Sequence, residues 1–237
     1  MQSNTFTVYI SKKKYKKDDH DLLYYLCNIL NLNKLFKYSM ALNQFKMNVR
    51  KIAVFASGSG SNAENIIKYF AENEKIKVDS LWSNNSGAYA LTRARAMGVE
   101  ASVFNRRQFY ETDEVLQKLK ARGIDLIVLA GFLWLVPENL IRTFPILNIH
   151  PALLPQYGGK GMYGMRVHQA VVENEEKRSG ISIHQVNGKY DEGQVIFQAE
   201  CAVQPEDTPE RVAQKVHELE YKYFPAVIEQ YLLKEIN

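Results

Sequence analysis

The run Ile124 to Ala130, IDLIVLA, is almost wholly apolar and lies between Gly123 and Gly131. A strand with apolar side chains on both faces has to be covered on both, which a sheet sandwiched between helices provides. Ile52 to Ala56, IAVFA, has the same character. It is followed by the small polar turn Ser57-Gly58-Ser59-Gly60-Ser61-Asn62 and then by Ala63, Ile66, Ile67 and Phe70 at helical spacing. The alternation continues. Lys77 to Ser83 reads as a strand, Ala88 to Met97 as a helix stopped by Gly98, Ala101 to Phe104 as a strand, and Glu111 to Arg122 as a helix stopped by Gly123. A helix from Pro137 to about Thr143 leads into the run ILNIH. Units of this kind predict an α/β fold with a mostly parallel central sheet and helices on both faces.

The first 46 residues differ in kind. They hold eight lysines against three aspartates and no Gly, Pro or Arg, whereas the remaining 22 bases and 23 acids leave the body of the chain almost neutral. The expected organisation is a basic, poorly ordered extension over residues 1–46, with a short helix over Leu22 to Tyr38, followed by one domain over residues 47–237. Because the overall charge of +4 comes from the extension, the body carries no electrostatic footprint for nucleic acid. The stretch Leu22 to Phe36 is interrupted by Asn28, Asn31, Asn33 and Lys34, which argues against a bilayer span of about 20 apolar residues. Asp18, Asp19 and Asp21 ahead of it argue against a secretory signal. Cys27 and Cys201 give neither a disulfide framework nor metal-ligand spacing. These features point to a cytoplasmic protein with no nucleic-acid or membrane partner and no metal.

Chemistry concentrates at a few places. Asn148 and His150 lie two apart in an apolar run, so on a strand both side chains share a face, and Pro151 and Pro155 then stop that strand. The chain thus leaves the sheet where open parallel sheets hold their ligands. The plainer alternative is a turn-capping Asn and a hydrogen-bonded core His. The Gly58 to Asn62 turn opens a helix whose free amides and dipole attract an anion. Gly58-x-Gly60-x-x-Ala63 also fits a dinucleotide fingerprint, but the second strand ends in Ser83-Asn84-Asn85 without the acid that fingerprint needs. Gly131 to Val136 is either the wall of a pocket for a flat ring system or a cover over the core. Four glycines between Gly158 and Gly164 make that loop a candidate lid. His168 falls early in a helix through Val172, Ser182 and His184 share one face of a strand over Gly180 to Val186, and Asp191 sits in the polar loop before a strand over Val195 to Cys201. Thr208 and Pro209 open a last helix with Val212, Val216, Leu219 and Tyr223 on one stripe, bent or ended by Pro225. With no Ser or Cys placed as a nucleophile, the set suits direct acyl transfer between two bound substrates.

AVFASGSGSN, LAGF, LNIHPALLP and DEGQVI, in this order, resemble the folate-dependent formyltransferases and, within them, the phosphoribosylglycinamide formyltransferase family. The resemblance covers about Met47 to the C-terminus. It implies a single Rossmann-like formyltransferase domain that moves a formyl group from 10-formyltetrahydrofolate, as co-substrate, to the amine of glycinamide ribonucleotide in de novo purine biosynthesis. It further implies that Asn148 and His150 stabilise the oxyanion of a tetrahedral intermediate, while Asp191 orients His150, raises its pKa and assists proton removal. Gly60, Ser61 and Asn62 are implied to hold the substrate phosphate and Glu220 its ribose hydroxyls. The folate is implied to lie against Phe132, Leu133, Trp134, Leu135 and Val136, with Asn148 and the Asp191 loop. Trp134 stands where relatives often carry Arg, the loop from Gly158 to Met165 is longer than in many relatives, and His184 matches a family position read as supporting. Small-molecule partners follow, with a homo-oligomer left open. The rivals are formyltetrahydrofolate deformylase, which resembles a chain with an added N-terminal ligand-binding domain, methionyl-tRNA formyltransferase, with an added basic domain, and a non-catalytic nucleotide-binding protein.

Overall fold

The structure is a computed structural model that describes residues 8–10, 13–15 and 49–234. The chain separates into two units, Met1–Asn48 and Val49–Asn237. In the first, β1 (Val8–Ile10) pairs antiparallel with β2 (Lys13–Tyr15). The helix expected over Leu22 to Tyr38 lies outside the described residues.

The second unit follows the expected alternation. Its elements are β3 (Arg50–Phe55), α1 (Ser61–Tyr69), β4 (Ile76–Ser83), α2 (Tyr89–Ala96), β5 (Glu100–Val103), α3 (Arg106–Tyr110), α4 (Glu114–Arg122), β6 (Leu126–Leu129), α5 (Glu138–Ile141), β7 (Ile146–His150), α6 (Met165–Glu173), β8 (Arg178–Gln185), β9 (Val195–Ala202) and α7 (Pro209–Lys234). The sheet order is β5-β4-β3-β6-β7-β8-β9. Pairing is parallel from β5 to β7, whereas β8 and β9 join antiparallel. The chain builds outward from β3 to β4 and β5, then returns to the other side of β3 with β6 and β7. That reversal opens a crevice at the C-terminal ends of β3 and β6, the position at which doubly wound sheets hold ligands.

Period-two alternation explains why β3 is apolar from Ile52 to Phe55. Ile52 and Val54 join one core with Ile66 and Ile67 of α1, Leu91 of α2, Val171 of α6 and Val216 and Phe224 of α7. Ala53 and Phe55 join the other, with Phe109 of α3, Leu119 of α4 and Leu140 of α5. Both faces of the sheet are therefore covered.

Two expectations about helices change. The helix read from Glu111 to Arg122 starts only at Glu114, as α4, and a separate helix, α3, precedes it, opened by the reciprocal capping box of Asn105 and Gln108 and parted from α4 by Glu111, Thr112 and Asp113. Pro225 does not end α7, which runs on to Lys234. Thr208 does cap that helix, its Oγ1 accepting from the Arg211 amide at 3.4 Å. Among the described residues no helix is long and apolar enough to cross a membrane.

The antiparallel edge is tightly drawn. A Cβ added at Gly180 on β8 would stand 2.0 Å from the Ala199 carbonyl oxygen of β9 and 2.9 Å from Leu153 Cδ2. Gly180→Ala is accordingly expected to lower the urea unfolding free energy by about 1–3 kcal/mol through overpacking, measurable from the denaturation midpoint at unchanged m-value.

Candidate active site

The first wall of the crevice is the turn between β3 and α1. Gly60 caps α1 in a left-handed conformation (φ 72°) with no side-chain cap, and a Cβ there would meet the Ala90 Cβ at 2.4 Å. Only glycine fits. The first-turn amides of α1 have no backbone acceptor of their own and face the crevice mouth, which suits an anion. The turn is tied to the neighbouring strand exits: the Ser57 amide donates to Gly131 O at 3.0 Å, the Leu133 amide donates to Ser57 Oγ at 3.0 Å, and Ser57 Oγ donates to Asn84 Oδ1 at 2.7 Å. Asn84, at the place where a dinucleotide fold carries its acid, thus holds the turn.

The second wall is β7 with its partner β8. Their antiparallel register sets Asn148 opposite His184 and His150 opposite Ser182. His184 Nδ1 lies 3.0 Å from Gln185 O, and since a carbonyl only accepts, that nitrogen carries the proton. The neutral ring then accepts at Nε2 from Asn148 Nδ2, 3.0 Å away, which fixes the amide orientation of Asn148. Ser182 is spent on structure, its Oγ accepting from the Leu154 amide and donating to Ala152 O, so it anchors the chain just after Pro151.

Asp191 arrives from the loop between β8 and β9. The Gln185 amide donates to Gln194 O and closes that loop, while Gly193 passes so close beneath it that a Cβ would stand 1.6 Å from Gln185 O. Asp191 itself has a left-handed backbone, φ 56°. Its Oδ2 accepts from the Gly159 amide at 3.0 Å and faces His150 Nδ1 at 3.5 Å, and its Oδ1 lies 3.5 Å from Asn148 Nδ2 and 3.6 Å from His184 Nε2. One carboxylate therefore meets both members of the Asn148/His150 pair and the glycine loop.

His150 is almost fully buried, and its Nε2 donates to Tyr157 O at 2.8 Å. Burial holds its pKa below the ordinary imidazole value, against the pull of Asp191 and of the Tyr157 carbonyl. Asp191 does act in the upward direction read from the sequence, but desolvation outweighs it. Asp191 is itself pushed up by burial, yet the adjoining His184 and His150 rings and the Gly159 amide bring its carboxyl below the usual carboxylate range. A carboxylate and a neutral imidazole side by side is the resting state these shifts describe.

These groups share one cavity of about 670 Å³. Gly60, Ser61 and Asn62, Asn148, His150, Asp191 and Glu220 all line it. Glu220, on α7, is buried and accepts at Oε2 from Asn62 Nδ2 at 2.9 Å and from His217 Nδ1 at 2.7 Å. Phe132 and Leu133 also reach the cavity, but Trp134, Leu135 and Val136 do not line it. Trp134 instead packs on Phe104, Phe109 and Tyr110, and Val136 is in the core, so most of that loop covers the second core cluster. The glycine loop contributes Gly159 to Met165, and His168 is buried at the back. His217 was not singled out from the sequence; its spacing of three before Glu220 on a helix is the signal that pairs them. Among the described residues no group of three or more His, Cys, Asp or Glu is arranged to hold a metal ion.

Residues 50–228 match the model of the formyl transferase family, and the chain belongs to that family. Among its relatives is the chloroplastic phosphoribosylglycinamide formyltransferase of Arabidopsis thaliana, 39% identical over 76% of this chain, an alignment that spans 64% of the plant protein's own length. The phosphoribosylglycinamide formyltransferase of Haemophilus influenzae is 35% identical, with 76% of this chain and 86% of that protein covered. Among solved structures, glycinamide ribonucleotide transformylase 1 of Geobacillus kaustophilus superposes with a TM-score of 0.70 at 30% identity, covering 78% of this chain and all (100%) of that one.

The electrostatics give two expectations. Asp191→Asn removes the main influence that raises the His150 pKa, so imidazole NMR titration should find His150 titrating at lower pH in the variant than in wild type. His168, held by burial at about 4 against an ordinary 6.5, stays neutral in the folded protein while the unfolded chain binds a proton below pH 6.5. Its contribution to stability is complete above pH 6.5 and is lost as pH falls towards 4. Urea unfolding at pH 7.5 and pH 5 should show a smaller pH-dependent loss in His168→Gln than in wild type.

Proposed function

We propose that this chain transfers a formyl group from 10-formyltetrahydrofolate to the amine of glycinamide ribonucleotide, a step of de novo purine biosynthesis, by direct attack through a tetrahedral intermediate. The observation that carries the reading is the meeting of Asn148, His150 and Asp191 in one cavity with the helix-capping turn Gly60 to Asn62. Family membership and the relatives' names support it.

In this reading the substrate phosphate rests on the first-turn amides of α1, and Glu220, already ionically engaged through one oxygen, offers the other to the ribose hydroxyls. Anchored at that end, the amine extends towards Asn148 and His150. Asn148 donates from Nδ2 to the oxygen of the formyl group as negative charge develops there, an interaction that strengthens only in the transition state. His150 is the second donor once protonated, and Asp191, 3.5 Å from its Nδ1, is the group that makes that proton affordable and takes up the one lost by the attacking amine. The formyl-folate lies against Phe132, Leu133 and the Asp191 loop, with Trp134, Leu135 and Val136 backing that wall from the core side. No covalent acyl-enzyme is required. The domain over residues 47–237 carries this activity, its partners are small molecules, and we place it in the cytoplasm.

A coupled assay of formyl transfer on the purified chain is the test. Turnover with this substrate pair is the expected result, and hydrolysis of the folate without transfer to the amine would replace the reading with a deformylase. Asp191→Asn is expected to lower kcat by about two to four orders of magnitude, the range of a positioned acid–base group, with KM for either substrate changed far less.

A further inference from the structure

Among the described residues three that are not glycine have a left-handed backbone: Tyr157 (φ 55°), Glu175 (φ 53°) and Asp191 (φ 56°). An L side chain resists that conformation, which persists only where the surroundings hold it. Two of the three flank one imidazole. Asp191 Oδ2 faces His150 Nδ1 at 3.5 Å, and Tyr157 O accepts from His150 Nε2 at 2.8 Å. The third, Glu175, stands one residue before Glu176, whose Oε1 accepts from the Tyr157 hydroxyl at 2.8 Å. The strained positions therefore lie along one line of contacts that runs from Glu176 through Tyr157 and His150 to Asp191.

Both ends of this line are built by local structure. Past the end of α6 the Glu175 amide donates to Val172 O at 3.0 Å and the Glu176 amide to Val171 O at 3.1 Å, a helix stop that ordinarily places glycine at its left-handed position. Here Glu175 takes that position, and the turn sets Glu176, half-buried, beside Tyr157. The Tyr157 ring packs against the first core cluster. Two residues further on, the Gly159 amide donates to Asp191 Oδ2 at 3.0 Å, and a Cβ at Gly158 would stand 2.6 Å from Leu154 Cδ2 and 3.3 Å from Asp191 Cβ. The segment Tyr157 to Gly159 thus grips His150 at one end and Asp191 at the other.

We propose that Glu176, acting through the Tyr157 hydroxyl, is a positioning residue for His150: it holds the Tyr157 carbonyl against Nε2 and so leaves Nδ1 as the nitrogen that gains and gives up a proton. The proposal rests on the reading of the site as one for acyl transfer. A carbonyl only accepts, so a neutral His150 bonded to it carries its proton on Nε2 and a lone pair on Nδ1. The proton gained in the reaction then falls on the nitrogen beside Asp191. In the other tautomer a proton would already rest between Nδ1 and Asp191, and Nε2 would turn its lone pair on the Tyr157 carbonyl. The phenol is suited to its part. Burial first, and then its bond to Glu176, raise its pKa, with Asn174 acting the other way, so it stays a donor at neutral pH.

The test compares Tyr157→Phe, Glu176→Ala and Glu176→Gln with wild type in the full chain. Nitrogen NMR of the histidine rings at about pH 8 reads the tautomer directly, because protonated and bare ring nitrogens resonate far apart. Wild-type His150 should be protonated at Nε2 and bare at Nδ1. Tyr157→Phe and Glu176→Ala should draw both signals towards the average of the two tautomers, whereas Glu176→Gln, whose carboxamide oxygen still accepts from the phenol, should match wild type. In the formyl-transfer assay the first two variants should lose about tenfold in kcat, the scale of one hydrogen bond, with KM for either substrate within about twofold, and Glu176→Gln should restore the rate. The double variant Tyr157→Phe with Glu176→Ala should lose no more than either single one, because one bond carries both effects. Variants that melt earlier while the His150 nitrogens stay as in wild type would reduce the tie to a support of the loop and overturn the proposal, as would additive losses in the double variant. If the nitrogens move as expected but wild type transfers no formyl group to glycinamide ribonucleotide, the substrate reading fails and the positioning of His150 stands.

Discussion

Burial of β3 on both faces is the constraint from which the rest of the second unit follows. From Ile52 to Ala56 no side chain is more than about 1% exposed, so both cores have to close over this strand before it is stable. Its neighbours β4 and β6 are then both parallel to it, and the chain has to leave all three strands at the same end. Ser57 at the exit of β3 ties to Gly131 and Leu133 at the exit of β6 and to Asn84 after β4. The turn between β3 and α1 is therefore the knot of the sheet. Its position is set by core packing, and its free amides cannot drift from the crevice without breaking those ties.

The antiparallel half of the sheet does something different. A parallel β8 would meet β7 through evenly spaced, slanted hydrogen bonds. Running antiparallel, β8 sets His184 squarely opposite Asn148, and a hairpin loop rather than a helix follows. That loop is short enough to fold back over the strand ends, which is how Asp191 comes within 3.5 Å of His150 from 41 residues further along. The hairpin confines its strain to Asp191, with φ 56°, and its closest approach to Gly193. Backbone strain at a polar residue facing a cavity is the pattern expected where geometry is held for chemistry.

Much of this could be read in the sequence, and the reasons differ by element. The parallel strands announce themselves as unbroken apolar runs because both faces are buried, and the Asn148/His150 pair is visible because a strand's period is two. The turn at Gly58 to Asn62 carries its meaning locally, in glycine and small residues. Asp191 is another matter: a lone acid in a polar loop has only a weak local signature, and its role came from the resemblance alone, since the register and loop closure that bring it home are long-range. The start of α3 was legible in Asn105 and Gln108 but was hidden by the stronger periodicity of the following segment. Gly131 to Val136 could be read as a ring-binding wall or as a cover over the core because aromatic residues serve pockets and cores equally well, and composition does not say which way a loop turns. His217 escaped notice for a related reason: on a long amphipathic helix, a histidine at the solvent border is indistinguishable from surface until its neighbour across the fold is known.

The charge distribution of the cavity links these parts. Two carboxylates line it: Asp191 accepts from the Gly159 amide and faces two imidazoles, and Glu220 accepts from Asn62 and His217. Both carboxylates face histidines rather than arginines, so the group facing each of them is one to which a proton can be added or from which it can be withdrawn. A guanidinium would bind anions at any pH, but it would also fix its carboxylate permanently and leave no group able to accept or release a proton. With imidazoles, Asn148 and Glu220 are positioned without a permanent guanidinium charge. A group transfer that passes a proton from an amine to the protein needs that condition, because a site already saturated with fixed ion pairs has nowhere to put it.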